Sequence, residues 1–178
     1  MFQAPSYLAM PDTQWSTSDL CDAHLDDPVW SVRILTAPLR RFSGRAWYFG
    51  PVLTATLQHG KALSLADILQ QPGQGRVLLV QGNAGDSHAV LGDRMAGLAV
   101  QNGWAGIIVN GFVRDSVALQ RLPLGVHALG TRPNRAPDMA PCQVSESFEW
   151  NGVAIHTGDW VYADEDGIIF MARRHIPL

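Results

Sequence analysis

The chain has 178 residues, a formal net charge of −3, 47% hydrophobic residues and 16% charged residues. That is one domain's worth of sequence, apolar enough to bury a core, which excludes disorder over most of its length. The slight acidity excludes the basic face of a general nucleic-acid binder, and Cys21 and Cys142, with no C-x-x-C pair, exclude a disulfide framework or a zinc site of standard spacing.

Residues 1–15 contain Pro5 and Pro11 without periodicity and read as an extended arm before a single domain over 16–178. Met1 to Met10 has no charged, apolar leader pattern, and no apolar run approaches the ~18 residues of a membrane span. A cytoplasmic protein is expected. The Ser16-Thr17-Ser18-Asp19 cluster before Leu20 and Ala23 starts a helix that should stop by Pro28. Residues 45–57 are rich in aromatic and β-branched types and predict strand, broken at Gly50-Pro51. Leu63, Ala66, Ile68 and Leu69 have helical spacing, closed by Gln71-Pro72-Gly73.

The middle is the most regular part. Arg76 to Val80 is a continuous apolar run, as a strand buried on both faces would be. A glycine-rich turn over 81–86 follows. Next comes a helical stretch with Leu91, Met95, Leu98, Ala99 and Asn102, closed by Gly103, and then a second buried strand over 105–109. Strand, helix and strand with short links predict a βαβ unit with a right-handed crossover. Sites in such sheets form at the carboxyl ends of strands, here residues 81–86 and 110–115. Val117–Leu122 predicts a short helix, and 130–141, with three prolines and two arginines, predicts loop. The end alternates through 153–156, 160–163 and 168–171, with turns at Thr157-Gly158-Asp159 and 164–167, and predicts antiparallel strands.

Chemistry concentrates in Gly92-Asp93-Arg94-Met95 and in Arg114-Asp115, with twenty residues between Asp93 and Arg114. Asp93 stands near a helix start, where free amides favour anions. The βαβ geometry can return Arg114 and Asp115 to that same edge, as an arginine fork for a carboxylate and a carboxylate for a hard cation. The residues alone also allow Asp93 to be a cap and Arg114-Asp115 a loop ion pair.

The stretch from Leu91 to Ala96, followed by Ala99-Val100-Gln101-Asn102-Gly103-Trp104 and on to Arg114-Asp115, resembles the family of RraA-like proteins. That family contains regulators of ribonuclease E activity and 4-hydroxy-4-methyl-2-oxoglutarate aldolases. Thr17 to Ala23, Gly44-Arg45-Ala46 with Gly50-Pro51-Val52, and Gly158 to Ile168 extend the resemblance over about residues 16–171. It implies an α/β, single-domain swivelling β/β/α-type fold with a βαβ core and a C-terminal antiparallel hairpin, assembled as a homotrimer or hexamer. The Asp, twenty residues, Arg-Asp pattern is that of the family's catalytic branch.

In that branch the resemblance implies substrate binding through the backbone amides of Gly92 to Met95. By the same resemblance Arg114 would bind the substrate carboxylate or enolate, and Asp115 would hold a divalent cation, Mg²⁺ or Mn²⁺. Asp93 would act through a water as base for the C4 hydroxyl. The implied activity is a metal-dependent lyase that cleaves 4-hydroxy-2-oxo acids to pyruvate and decarboxylates oxaloacetate. The alternative is a non-enzymatic regulator that binds ribonuclease E. A methyltransferase lacks its glycine-rich motif here. Gln81-Gly82-Asn83-Ala84-Gly85 departs from the family's Asp-Gly-Gly-Gly turn, and the C-terminal helix of some aldolases has no counterpart before Leu178.

The remaining polar residues read as structural. His88 suits a helix start, Lys61 a solvated turn, Asp19 and Asp22 the dipole of the first helix, and Asp164-Glu165-Asp166 a solvated turn. The other histidines show no ligand spacing. Trp15, Trp30, Trp47, Tyr48 and Phe49 exceed what one small domain easily covers and point to an oligomer.

Overall fold

The unbroken apolar run becomes β4 (Val77–Gln81), with Val77 to Val80 fully buried. The computed structural model describes residues 15–58, 63–82, 88–135 and 141–175. The predicted N-terminal arm and Lys61 lie outside the described residues, as does most of the glycine-rich turn. β4 runs parallel between β3 (Tyr48–Leu57) and β6 (Gly106–Val113), and β7 (Gly125–Thr131) lies parallel on the far side of β6. The crossover from β4 to β6 carries β5 (Ala89–Leu91) and α3 (Asp93–Gln101). This is the expected βαβ core.

Antiparallel strands extend both ends of that parallel centre. β2 (Arg40–Arg41) pairs β7. On the other side β3 pairs β11 (Trp160–Ala163), which hairpins to β12 (Ile168–Met171), and β1 (Arg33–Ile34) forms the edge. β8 (Cys142–Ser145) adds to β3, while β9 (Ser147–Trp150) and β10 (Val153–His156) form a separate ribbon.

Alternation along β4 divides the interior. Leu78 and Val80 pack with α2 (Leu65–Leu69), α3 and α4 (Ser116–Leu119), through Ile68, Ala96, Ala99 and Leu119. Val77 and Leu79 pack on the opposite face with Ile155, Val161 and Phe170. α2 starts on a capping box in which Ser64 and Asp67 bond each other's backbone amides. α3 ends as expected, with Gly103 left-handed (φ +75°) just after it.

Several sequence expectations are corrected. β3 runs unbroken through Gly50-Pro51, because the strand changes partner there: Gly50 and Pro51 face β11, and Val52 onward faces β4. A Cβ on Gly50 would overlap the Gly75 carbonyl oxygen, so close backbone approach explains the glycine. Leu91 belongs to β5 and not to the helix. Strands β7, β8 and β9 were not expected, and β10 pairs β9 and not the terminal hairpin. Glu165 and Asp166 are exposed as expected, but Asp164 is buried: its carboxylate accepts from Thr17 N and Oγ1 (2.6 and 2.7 Å) and from the amides of Asp166 and Gly167. Those bonds tie α1 (Thr17–His24) to the end of β11.

The aromatic surplus is mostly covered within the chain. Trp15 and Tyr48 are buried, and Trp15 packs on Trp47 and edge-on to Tyr162 at 5.0 Å each. Trp30, Trp47 and Phe49 lean on the same cluster. That count of aromatics therefore does not by itself call for a partner chain.

Candidate functional site

The carboxyl end of β6 meets the start of α3. The amide of Arg114 donates to the Leu91 carbonyl (2.9 Å), which fixes the residues after β6 beside the residues after β5. The β6–β7 register slips between Val109 and Phe112, and β5 meets β6 with a similar irregularity. Such bulges re-aim the side chains that follow. The sequence expectation that Asp93 and Arg114-Asp115 return to one edge is met in these contacts.

Asp115 Oδ2 accepts the Asp93 amide at 3.3 Å and stands 3.3 Å from Arg114 Nε. Both side chains are about one-third exposed. Oδ1 of Asp115 accepts no hydrogen bond among the described residues. Asp115 is the N-cap residue of α4 with a left-handed backbone (φ 56°, ψ 38°), and its side chain makes no capping bond to that helix. A non-glycine residue there is strained by about 1–3 kcal/mol. The strain turns the carboxylate toward α3.

Gly92 is the N-cap of α3 and offers no side-chain cap. A Cβ at this position would stand 2.7 Å from Asp115 Oδ2 and 3.1 Å from Arg114 Nε. The missing side chain is therefore the space that the carboxylate and guanidinium share. Asp93 is the first residue of α3 and not its cap, and its Oδ1 accepts the Arg94 amide at 2.6 Å. Arg94 is exposed and Met95 packs partly against the helix-side core. The structure thus brings Gly92, Asp93, Arg114 and Asp115 together, with the backbone of Arg94 bound to Asp93.

The donor set fits a hard divalent ion. Among the described residues no three His, Cys, Asp or Glu side chains converge as a closed metal cage would need. Mg²⁺ binds through one or two carboxylates and keeps water or substrate oxygens for the rest. Asp115, oriented by two donors on one oxygen and open at the other, has that form.

Sequence reasoning did not single out Arg132. It lies in a loop expected from its prolines and arginines, and its guanidinium carbon sits 3.9 Å from the centre of the Phe112 ring. Three buried or half-buried titratable groups lie away from this edge. The Cys142 thiol is pushed up to about 11 by burial and by nearby Asp67, and burial also raises Cys21. Burial and nearby Arg41 push His127 down to about 4, and its Nδ1 pairs with the buried Tyr48 hydroxyl at 2.7 Å. His88 precedes β5 and does not start a helix. Two histidines with no motif spacing meet in space: His24 Nε2 and His175 Nδ1 are 3.2 Å apart.

Comparison with known proteins gives a consistent result. The RraA-like family profile, described as Aldolase/RraA, matches residues 17–170. A protein of Halorhodospira halophila provisionally named 4-hydroxy-4-methyl-2-oxoglutarate aldolase is 41% identical, over 88% of this chain and 95% of its own. One of the same provisional name from Alkalilimnicola ehrlichii is 40% identical, over 86% and 92%. Among solved structures, the RNA-processing inhibitor RraA of Thermus thermophilus superposes with a TM-score of 0.82 at 30% identity, covering 93% of this chain and 97% of that one. A Geobacillus kaustophilus protein titled an S-adenosylmethionine:2-dimethylmenaquinone methyltransferase gives 0.81 at 32%, covering 90% and 96%.

Proposed function

The chain belongs to the RraA-like family, and from that premise we propose that it is a divalent-metal-dependent lyase cleaving 4-hydroxy-2-oxo acids to pyruvate. The observation that carries the reading is Asp115. Its backbone is strained, one oxygen is positioned by Arg114 and by the start of α3, and the other accepts no hydrogen bond among the described residues. Strain of this kind persists where surrounding structure holds it for a purpose. The provisional aldolase names of relatives at about 40% identity support the same reaction class.

Asp115 would hold Mg²⁺ or Mn²⁺, and the ion when bound would polarise the 2-oxo group and stabilise negative charge on its oxygen. The chain's own residues do the rest. Gly92 leaves room for Asp115 and Arg114 to stand against the start of α3, where the first amides of the helix favour the charge of the substrate's carboxylate end. Arg114 turns its planar fork from Asp115 to that carboxylate and stays close to the oxygen that gains charge. Asp93, through a water, takes the proton from the C4 hydroxyl. The C4–O bond then becomes a carbonyl, the C3–C4 bond breaks, and its electron pair passes to C3 and the 2-oxo oxygen. Protonation at C3 gives pyruvate. Oxaloacetate loses CO₂ through the same electron flow without needing the base, so decarboxylation would share the site. The assembly expected is a homotrimer or hexamer; Val117, 64% exposed two residues after Asp115, is consistent with cover from another copy.

The second reading is a regulator that binds a ribonuclease, favoured by the superposition on the Thermus RraA structure. Arg114 separates the two. In a pyruvate-release assay over 4-hydroxy-2-oxo acids and oxaloacetate, EDTA should abolish activity and Mg²⁺ should restore it. Arg114→Lys should lower kcat by roughly 10²–10³, or about 3–4 kcal/mol, because a point charge lacks the two-donor fork. If the wild type releases no pyruvate from any of these substrates while binding a ribonuclease, the regulator reading stands.

A further inference from the structure

We propose that His24 and His175 form a second metal site, a two-histidine clamp that takes a divalent transition ion such as Zn²⁺ and holds the segment after β12 against α1. It is built on other elements than Asp115 and does not depend on the reaction assigned to that residue.

Backbone bonds bring the two rings together from opposite ends of the chain. At the end of α1 the Leu25 amide donates to the Cys21 carbonyl (2.9 Å), the Asp27 amide to the His24 carbonyl (3.1 Å) and the Trp30 amide to the Asp27 carbonyl (3.1 Å). That turn folds Trp30 back onto His24, with ring centroids 4.2 Å apart and planes 30° from parallel. After β12 the Ala172 amide donates to the Trp30 carbonyl (2.9 Å), and the His175 amide donates to the buried Tyr162 hydroxyl (2.7 Å). Both imidazoles are therefore placed by bonds other than their own contact.

That contact has the dimensions of a coordination edge. His24 Nε2 and His175 Nδ1 stand 3.2 Å apart. Two nitrogens on one tetrahedral Zn²⁺, each at about 2.0–2.1 Å from the ion, are about 3.3–3.4 Å apart. The outer nitrogens, His24 Nδ1 and His175 Nε2, make no hydrogen bond among the described residues. With the protons on those outer nitrogens, both facing lone pairs are free for one ion. Burial and nearby His24 hold His175 below its ordinary pKa, which favours the neutral, ligating form. Both rings are only partly buried, so water can complete the shell.

The local charge suits a cation. His24 is the last residue of α1, at the negative end of the helix dipole. Asp22, Asp26 and Asp27 are exposed within three residues of it. The opposing charges are Arg173 and Arg174, both exposed, and Arg174 lies over the Trp160 ring at 5.2 Å. Imidazole ligands select Zn²⁺, Cu²⁺ or Ni²⁺ and leave Mg²⁺ to carboxylates, so the two sites would not compete for one ion.

The test is Zn²⁺ calorimetry on the full chain at neutral pH with excess Mg²⁺. The wild type should bind one Zn²⁺ in an event that Asp115→Ala retains. His24→Ala and His175→Ala should each weaken it by roughly tenfold or more, at least the cost of losing a second-shell partner. His24→Phe keeps a ring on Trp30 and should also lose the event, which separates the ligand from its packing. Binding should weaken as pH falls below about 6.5, where protons compete for the imidazoles. Zn²⁺ should raise the Tm of the wild type and not that of the histidine variants. A wild type that binds no Zn²⁺ beyond an event removed by Asp115→Ala overturns the clamp. So does a Zn²⁺ event of unchanged affinity in His24→Phe or His175→Ala. Pyruvate release by the same preparations tests the lyase separately.

Discussion

Asp115 and Asp164 both follow the last residues of a strand, one after β6 and the other after β11, yet their surroundings differ in kind. Asp164 is 3% exposed and accepts four hydrogen bonds that fasten α1 to the β11–β12 turn. Asp115 is about one-third exposed, has one oxygen without a partner among the described residues, and sits on left-handed backbone. The Tyr48–His127 pair resembles Asp164 in being closed and satisfied. A carboxylate whose bonds are complete inside the fold is a fastener. A carboxylate held under strain with an open oxygen adds little to stability and is suited to a ligand.

Replacement of the two aspartates should separate these roles. Asp164→Ala leaves the Thr17 amide and hydroxyl buried without an acceptor and removes the tie to α1. The expected loss is about 3–4 kcal/mol, at roughly 1–3 kcal/mol for each unsatisfied group before relaxation. Asp115→Ala should cost less than about 1 kcal/mol, since it removes two long contacts at a half-exposed site. Urea unfolding of the two variants measures the difference. Equal losses would break the comparison, because Asp115 would then be holding the fold as Asp164 does.

The interior pair adds a pH dependence that the edge site does not need. His127 ordinarily titrates near 6.5, and in the fold it is held down to about 4. Between those values the unfolded chain binds the proton and the folded chain does not. Stability therefore rises with pH through this window. It is complete above about 6.5 and is lost as pH falls toward 4, with a contribution of up to about 3 kcal/mol. Unfolding free energies between pH 4 and 7 should show this slope, and His127→Gln should flatten it. A slope unchanged by that substitution would assign the effect to other groups.

The parts legible in the sequence were those governed by local pattern. The βαβ core follows from the apolar run at 76–80, the helix closed at Gly103, and the second run at 105–109. The terminal hairpin follows from alternation and turn residues. The residues of the candidate site were legible too, because the motif and the crossover geometry place Asp93 and Arg114-Asp115 at one edge. What escaped depended on partners far away in the chain. Gly50-Pro51 looked like a break because the change of partner from β11 to β4 is not a local signal. Gly125 to Thr131 carries His, Ala and Gly in a strand whose pairing with β6 overrides weak propensity. Asp164 looked like a turn residue because Thr17 is 147 positions away. The role of Gly92 as room for Asp115 and Arg114, and the seat of Arg132 on Phe112, needed coordinates.

The smallest effect probes the strain itself. Asp115→Ala and Asp115→Gly both remove the carboxylate, so they lose the same contacts to Arg114 and to the start of α3. They differ in the cost of φ 56°. Alanine meets the left-handed penalty of roughly 1–2 kcal/mol, which glycine avoids. Glycine gives back roughly 0.4–1 kcal/mol through the greater freedom of its unfolded chain. The glycine variant should therefore be the more stable by about 0.5–1 kcal/mol, a shift of a few degrees in Tm for a chain of this size. Neither variant should release pyruvate at an appreciable rate. Alanine equal to or above glycine would mean that the loop relaxes out of the left-handed conformation once the carboxylate is gone. The strain would then be imposed by the contacts of Asp115 and not by the path of the chain from β6 into α4.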